Sequence, residues 1–348
     1  MLETKRIPYA ELSQFTENIL ASVHANNDQG AIFSKALIWS DLIGRPTHGV
    51  WRLPAYTKRI DLGLIKCPCV PKFDVDNKSI GIMNADEGIG HYAAHISMER
   101  AIDKAREFGV GAIGVHNSNH FGTAAYYVQL AAEQNMIGLA VSNSIAKVAP
   151  FNGVNPVFGT NPFAFSAPRK DGKSIIFDMA TTAIAGSQVM KLAEQGKPLP
   201  EGIAIDREGQ PILDPNNVDQ GTLLPFGGAK GYGLSLMIEI LSSALTGAMF
   251  SSNVNSMFNN FKESGKNGHF FIAIDIGQIL ETEQFLERIE ILLQMILNSG
   301  IELGDVMIPG ETRWEKYYEN IEQGVPLDQK TIGALQALAK ERSVSTPF

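Results

Sequence analysis

The chemistry of this chain can be read first from a histidine and an arginine four positions apart. The segment Arg45-Pro-Thr-His-Gly-Val-Trp-Arg-Leu-Pro-Ala-Tyr56 follows a helical pattern and is broken by Pro and Gly. His48 and Arg52 would share one face if it continued as a helical turn. Arginine offers a rigid bidentate fork for a carboxylate, and imidazole exchanges protons near neutral pH. A capping histidine beside a surface arginine would give the same spacing. A second histidine, His120, lies in Asn117-Ser-Asn-His-Phe-Gly-Thr123, where an apolar strand is expected to end and a helix to begin. Ends of buried strands are where α/β folds place reactive side chains, so His120 is an acid/base candidate, with a histidine satisfied by turn hydrogen bonds as the alternative. His116 and His120 have the i, i+4 spacing of a zinc pair, but that geometry needs a helix, and no metal is expected here. The rival from another chemical class is a metal-dependent hydrolase or lyase using His116, His120 and either His91 or His95, which chelation would inactivate.

Polar groups recur at other expected strand ends. Asn143-Ser144, Phe158-Gly-Thr-Asn-Pro-Phe163 and Phe177-Asp-Met-Ala-Thr-Thr182 each place hydroxyl, amide or carboxylate groups there. They suggest one shared cleft, although Asn-Pro and Gly-Thr are also good turn formers. Asp178 is a candidate to orient an imidazole, or a cap. Phe226-Gly-Gly-Ala-Lys-Gly-Tyr-Gly-Leu234 opens an apolar helix and is the best phosphate cradle in the chain. Its glycines allow close backbone approach, the helix start offers free N–H groups, and Lys230 adds charge. It is not a Walker A loop, because Gly231 follows Lys230, and a glycine hinge with a solvated lysine is the alternative.

The string Gly-Val-Gly-Ala-Ile-Gly114 matches the dinucleotide pattern GxGxxG, yet its context is reversed. In that fingerprint the glycines follow a strand and open a helix; here they follow the helical run ending at Phe108 and precede a strand. Gly109 reads as a left-handed helix terminus. Glu133, at about the distance of a ribose-binding acid, falls in another helical run.

Two helices fill the start, about Tyr9 to Ala25 and Asp28 to Ile43. Strands then alternate with helices: Ile80 to Asn84, helix Tyr92 to Phe108, strand Ala112 to His116, helix Thr123 to Gln134, and strands Ile137 to Ser142, Pro162 to Ala167 and Ser174 to Asp178. Gly196 to Lys230 has little periodicity. A helix over Gly231 to Gly247, a polar connection, a strand at His269 to Asp275 and helices at Thr282 to Asn298 and Asp328 to Arg342 complete an α/β chain. With 29 basic against 37 acidic residues and no basic stripe, a nucleic-acid partner is excluded. No apolar run has the length of a membrane span and the start lacks a signal-peptide core, so a cytoplasmic location is expected. Cys67 and Cys69 form a lone Cys-Pro-Cys, read as two thiols in a reducing compartment.

In this order, Leu42-Ile-Gly-Arg-Pro-Thr-His-Gly-Val50, Asn117-Ser-Asn-His-Phe-Gly122, Phe158-Gly-Thr-Asn-Pro162, Phe177-Asp-Met-Ala-Thr181, Leu224-Pro-Phe-Gly-Gly-Ala-Lys-Gly-Tyr-Gly233 and Ile308-Pro-Gly-Glu311 resemble the malate/L-lactate dehydrogenase family. The resemblance spans nearly the whole chain. It implies an α/β fold of the sulfolactate dehydrogenase type, not a Rossmann fold, with a central, mostly antiparallel sheet and an N-terminal helical region. It implies hydride transfer between NAD or NADP and a small 2-hydroxy or 2-oxo acid, or reduction of a cyclic imine carboxylate or diketo sugar acid, by a homodimer. Carried over by position, His48 and His120, with Asp178, are the catalytic candidates, and Arg52 and Thr160 would hold the substrate. Ser144, Asp178, Met179, Ala180, Thr181, Thr182, Ala229, Lys230, Pro309, Gly310 and Glu311 would contact the cofactor. The implied division is 1–115 for the helical, substrate and dimerisation region, 116–290 for the NAD(P)-binding core, and 291–348 for a C-terminal segment packing back on the first. Gly186-Ser-Gln188 stands where many members carry Arg-Gly-Lys, and Ile203 replaces a common Trp.

Overall fold

The computed structural model describes residues 4–25, 27–301 and 306–348. Strand β1 (Thr4–Ile7) leads into helices α1 (Tyr9–Ala21) and α2 (Asn27–Leu42). Leu12, Phe15, Ile19 and Leu20 recur at helical spacing on α1 and are buried in one cluster with Phe33, Leu37 and Ile38 of α2. Two single turns of 3-10 helix, Pro46–His48 and Val50–Arg52, then carry the chain into α3 (Leu53–Asp61).

Strands β2 (Lys72–Asn77), β3 (Ile80–Asn84) and β4 (Val110–Ser118), with helix α4 (Gly90–Phe108), form the first half of the main sheet. Helix α5 (Ala124–Ala132) leads to β5 (Met136–Ser142), β6 (Phe163–Ala167) and β7 (Ile175–Met179). Helix α6 (Gly186–Glu194) and the short pair β8 (Ala204–Ile205) and β9 (Thr222–Leu223) follow, then α7 (Ala229–Glu239) and β10 (Asn267–Asp275). Helices α8 (Thr282–Leu297) and α9 (Glu311–Gln323), strand β11 (Val325–Asp328) and α10 (Gln329–Arg342) end the chain.

The main sheet has seven strands in the order β2-β3-β4-β10-β5-β6-β7. Only β3 and β4 run parallel, joined by α4 as a βαβ crossover, and every other neighbouring pair is antiparallel. The late strand β10 thus lies in the middle, with Phe271 opposite Ile113 on one side and Ala140 on the other. Phe271 and Ala273 are fully buried in the core formed with α4 and α5. At the other end of the molecule β11 pairs with β1, and Leu335 and Leu338 of α10 join the α1–α2 cluster.

The glycines of the GxGxxG string serve packing. Gly109 closes α4 with φ +82, and a Cβ at Gly111 would sit 1.9 Å from the Ala101 carbonyl, so helix and strand touch there as only glycine permits. Glu133 is the residue at which α5 ends.

Several element boundaries differ from the sequence reading. The first helix stops at Ala21, and the apolar helix starts at Ala229 and changes to a π-helical turn at Ile240–Ala244. Strand β2, Lys-Phe-Asp-Val-Asp-Asn, was not expected, because Asp and Asn disfavour strands; those charges suit the edge position it occupies. Helices α3, α6 and α9 were also not expected, α3 because Pro54 in its first turn reads as a break.

Candidate active site

Residues 45–56 do not continue as one helix. Gly49 is extended between the two 3-10 turns, so His48 and Arg52 are brought near each other by a bend rather than by a helical face. Asp41 at the end of α2 fixes this bend: it is buried, and its carboxylate accepts the Val50 N–H at 2.8 Å. Burial pushes its pKa up to about 8, a shift partly offset by that hydrogen bond. A Cβ on Gly49 would lie 1.9 Å from Asp41 Oδ1. Gly49→Ala should therefore destabilise the fold by about 3 kcal/mol. An unchanged denaturant midpoint would show that the bend does not depend on that contact.

The Arg52 side chain is tied down without a carboxylate. Its Nε donates to the Thr47 carbonyl at 2.5 Å, Nη1 lies 3.0 Å from Met257 Sδ, and its guanidinium sits 5.2 Å from both the Trp51 and Phe258 ring centres. Among the described residues no acidic side chain forms an ion pair with it. A half-buried guanidinium with fixed geometry and no counter-charge is suited to an anionic ligand. Arg59 braces the neighbouring loop, donating from Nη1 to the Asn260 carbonyl at 2.6 Å and from Nη2 to that of Glu263 at 2.8 Å.

His48 and His120 stack with ring centres 5.7 Å apart. Burial, and then the charges of Arg52 and Arg45, push the His48 pKa down to about 3. Burial, followed by Arg52 and the neighbouring histidines, also holds His120 well below the usual imidazole range. His120 Nδ1 meets the Tyr56 hydroxyl at 2.6 Å and accepts the Gly122 N–H at 3.2 Å. A backbone N–H only donates, so Nδ1 is bare in the resting state and the neutral ring carries its proton on Nε2. Nε2 is the nitrogen left to exchange a proton with a ligand.

Asp178, on β7, is directed elsewhere. Its Oδ2 accepts from Thr123 Oγ1 at 2.7 Å and from the Ala125 N–H at 3.2 Å at the start of α5, and lies 3.7 Å from Arg313 Nη1. Arg313 Nη2 also donates to the Asp178 carbonyl at 2.9 Å. The group against His120 Nδ1 is Tyr56, and Asp178 is linked to the His120 loop through Thr123. Pro309, Gly310 and Glu311 abut the same strand: the Ile176 N–H donates to the Pro309 carbonyl at 3.1 Å, and the Glu311 carboxylate accepts the Ile308 N–H at 2.9 Å. Gly310 has φ +105, and a Cβ there would lie 2.9 Å from Ile176 N. Met179 and Ala180 follow Asp178 at this edge.

The remaining sequence candidates meet beside the start of α7. Ser144 Oγ accepts the Thr160 N–H at 2.9 Å and lies 3.1 Å from Thr160 Oγ1. The Thr160 carbonyl takes the Thr181 N–H at 2.9 Å, and Ser235 of α7 donates to Thr181 Oγ1 at 2.8 Å. Thr182 Oγ1 donates to the Ile184 carbonyl at 2.7 Å. Gly227 and Gly228, with φ +56 and +60, turn the chain into Ala229 and the exposed Lys230. The Lys230 and Gly231 N–H groups already donate to the Gly227 and Phe226 carbonyls at 3.3 and 3.0 Å, so the exposed Lys230 side chain is what this start offers an anion. A Cβ on Gly159 would meet Ser144 Oγ at 2.2 Å, so the wall of this pocket is close-packed.

Tyr56, Met257 and Arg313 complete the site and were not singled out in the sequence. Only a spacing of four from Arg52 marked Tyr56, and nothing local marked Met257 or Arg313. Of the metal-type histidines, His91 lies beside His120 with ring centres 6.3 Å apart, whereas His116 Nε2 contacts Asp74 at 2.7 Å and His95 lies between Tyr126 and Glu99. Among the described residues, no group of three His, Cys, Asp or Glu side chains could hold a metal. Cys67 and Cys69 are free thiols, and no helix among the described residues is long and apolar enough to cross a membrane.

A mixed sheet without the dinucleotide fingerprint, an unpaired arginine beside two stacked histidines, and a glycine-opened helix define a non-Rossmann NAD(P)-dependent dehydrogenase. Residues 7–336 match the malate/L-lactate dehydrogenase family, and the chain belongs to it. It is 35% identical to malate/(S)-sulfolactate dehydrogenase of Methanothermus fervidus, over 94% of this chain and 95% of that one. It is 32% identical to a Δ1-pyrroline-2-carboxylate/Δ1-piperideine-2-carboxylate reductase of Pseudomonas putida, over 96% of each. The solved sulfolactate dehydrogenase of Methanocaldococcus jannaschii superposes with a TM-score of 0.92 at 32% identity, covering 98% of each chain. Malate dehydrogenase of Pyrococcus horikoshii gives 0.89 at 32% identity, covering 99% of this chain and 98% of that one.

Proposed function

We propose that this enzyme catalyses reversible reduction of a small 2-oxo acid to its 2-hydroxy acid with NADH or NADPH, and that Arg52, free of any counter-ion beside the His48–His120 stack, is the observation that carries this reading. A nicotinamide nucleotide would be held by Ser144, the Asp178 to Thr182 segment, Ala229 with Lys230, and Pro309 to Glu311. The backbone turn at Gly227 and Gly228 would let phosphate oxygens approach the helix start. When bound, the nicotinamide supplies or accepts the hydride.

Arg52 binds and orients the substrate carboxylate. That anion offsets the guanidinium charge, one of the causes that hold His120 deprotonated, so substrate binding raises the proton affinity of the ring. His120 Nε2 then delivers a proton to the carbonyl oxygen as charge develops there, and takes it back in the oxidising direction. His48, stacked on His120, closes the other side of the reacting oxygen and is the alternative donor. Thr160, bonded to Ser144, would be a further hydrogen-bonding group for the substrate.

Tyr56 supports His120 through Nδ1 and, with a hydroxyl that both donates and accepts, serves either protonation state. Tyr56→Phe should lower kcat by about tenfold or more, the cost of a hydrogen bond to a group that becomes charged. Its oxygen also accepts the Nδ1–H of the charged ring, so the inflection of the His120 acid in the kcat profile for reduction should move to lower pH. An unmoved inflection would remove Tyr56 from the proton path.

The experiment that tests the whole reading assays the purified protein with NADH and NADPH against pyruvate, oxaloacetate, sulfopyruvate and Δ1-piperideine-2-carboxylate. Turnover of a 2-oxo acid supports it, and turnover of the cyclic imine alone replaces it with the imine reductase reading. Absence of turnover with all four sinks it. For assembly we propose a cytoplasmic homodimer. Leu234, Met237, Ile240, Leu245 and Phe250 form an exposed apolar face along α7 and the turn after it, which suits burial against a second copy. Sedimentation of a monomer at micromolar concentration would overturn that assembly.

A further inference from the structure

Beneath the site lies an imidazole that the reaction does not touch. His269, on the central strand β10, is fully buried, with Nδ1 2.8 Å from Ser142 Oγ and Nε2 2.9 Å from Ser118 Oγ. Each serine hydroxyl also has a backbone acceptor, Ser142 Oγ donating to the Asn143 carbonyl at 2.8 Å and Ser118 Oγ to the Asn119 carbonyl at 3.3 Å. A neutral ring carries one N–H, so in either tautomer it can donate to one serine and offer a lone pair to the other. Burial, partly offset by hydrogen bonding to the Asn119 and Gly268 backbone, pushes its pKa down to about 3 and keeps it neutral.

The two serines stand two residues before His120 and two residues before Ser144. The His269 ring also stacks on Phe121, the neighbour of His120, at 4.4 Å and 5°. The adjoining backbone repeats the grip: the Gly265 N–H donates to Asn119 Oδ1 at 2.8 Å and the Gly268 N–H to Asn143 Oδ1 at 2.9 Å. One neutral ring thus spans from the loop that carries the proton to the loop that lines the cofactor pocket.

We propose that His269 is a positioning residue: by bridging Ser118 and Ser142 and stacking on Phe121, it sets the separation between His120 and the nicotinamide side of the cleft. This rests on the hydride-transfer reading, since that separation matters only if a proton and a hydride reach one carbonyl from the two loops. A small misplacement of reacting groups costs rate far more than it costs binding.

The test pairs kinetics with a direct observation of the ring. His269→Phe keeps the stack and removes both hydrogen bonds. It should lower kcat by about tenfold or more and change the primary isotope effect with 4-deuterated NADH, while the NADH dissociation constant, read by fluorescence, moves by less than about threefold. His269→Gln, which retains a donor and an acceptor, should recover part of the rate. In the wild-type protein, side-chain 15N shifts of histidine should show one neutral ring locked in a single tautomer, assigned by its disappearance in His269→Gln. A folded His269→Phe enzyme with unaltered kcat and isotope effect overturns the proposal. A charged or tautomer-averaged ring overturns it equally, and needs no foldable variant beyond His269→Gln. If the wild type turns over none of the substrates, the reading of function fails, whereas the tautomer result still decides whether the bridge exists.

Discussion

Replacing His120 with alanine should lower turnover by about a hundredfold or more in both directions, in line with the contribution of a positioned general acid or base. The expectation rests on three features. His120 is half-buried beside Arg52, its Nδ1 is already engaged by Tyr56 and Gly122, and its Nε2 is therefore the nitrogen free to meet a ligand. The same change should leave NADH affinity nearly intact, because Ser144, Thr181 and Lys230, among the proposed cofactor contacts, lie beside the start of α7. His48→Ala serves as the comparison. If His48 is the donor, the large loss moves to that variant, and if both retain full turnover, neither histidine carries the proton. Circular dichroism on each variant guards against misfolding, since Gly122 and Tyr56 both lose a partner in His120→Ala.

Arg52→Met should reduce kcat/KM for the 2-oxo acid by about a hundredfold or more, chiefly through KM. The native guanidinium is held by the Thr47 carbonyl and lies by Met257, Trp51 and Phe258, so its position does not depend on the ligand. A preorganised charge of this kind contributes more than a flexible one, because little ordering remains to be done when the substrate arrives. Arg52→Lys tests the fork against the charge alone: a lysine should recover only part of the loss, since it cannot make the two parallel hydrogen bonds. The Met variant should also raise the pKa of the neighbouring histidines, because a nearby positive charge is removed. A KM for the acid that stays unchanged in Arg52→Met would place the carboxylate elsewhere.

Much of this site was legible in the sequence because its residue types are rare and their chemistry is specific. His48, Arg52 and His120 needed no three-dimensional information to be suspected. The reversed context of GxGxxG was also readable, since a helix precedes it and a strand follows. What stayed hidden was long-range. Tyr56 looks like any half-apolar helix residue until α3 folds it against a loop more than sixty positions away. Met257 and Arg313 come from segments with no motif, and their roles depend entirely on tertiary placement. Of the two roles left open for Asp178, orienting an imidazole or capping, its contacts match the cap: the carboxylate lies at the start of α5, where free N–H groups favour it. Polar β2 escaped notice because edge strands carry the very residues that depress strand propensity.

The central place of β10 also governs how the chain can be made. Its partners β4 and β5 are complete by Ser142, yet each presents an unpaired apolar edge until residues 267–275 arrive between them. A nascent or truncated chain lacking that segment exposes two sticky edges at once, the configuration that invites pairing with other chains. The same strand that carries His269 therefore makes the sheet a late, non-local closure, so folding and assembly of the catalytic cleft become a single event.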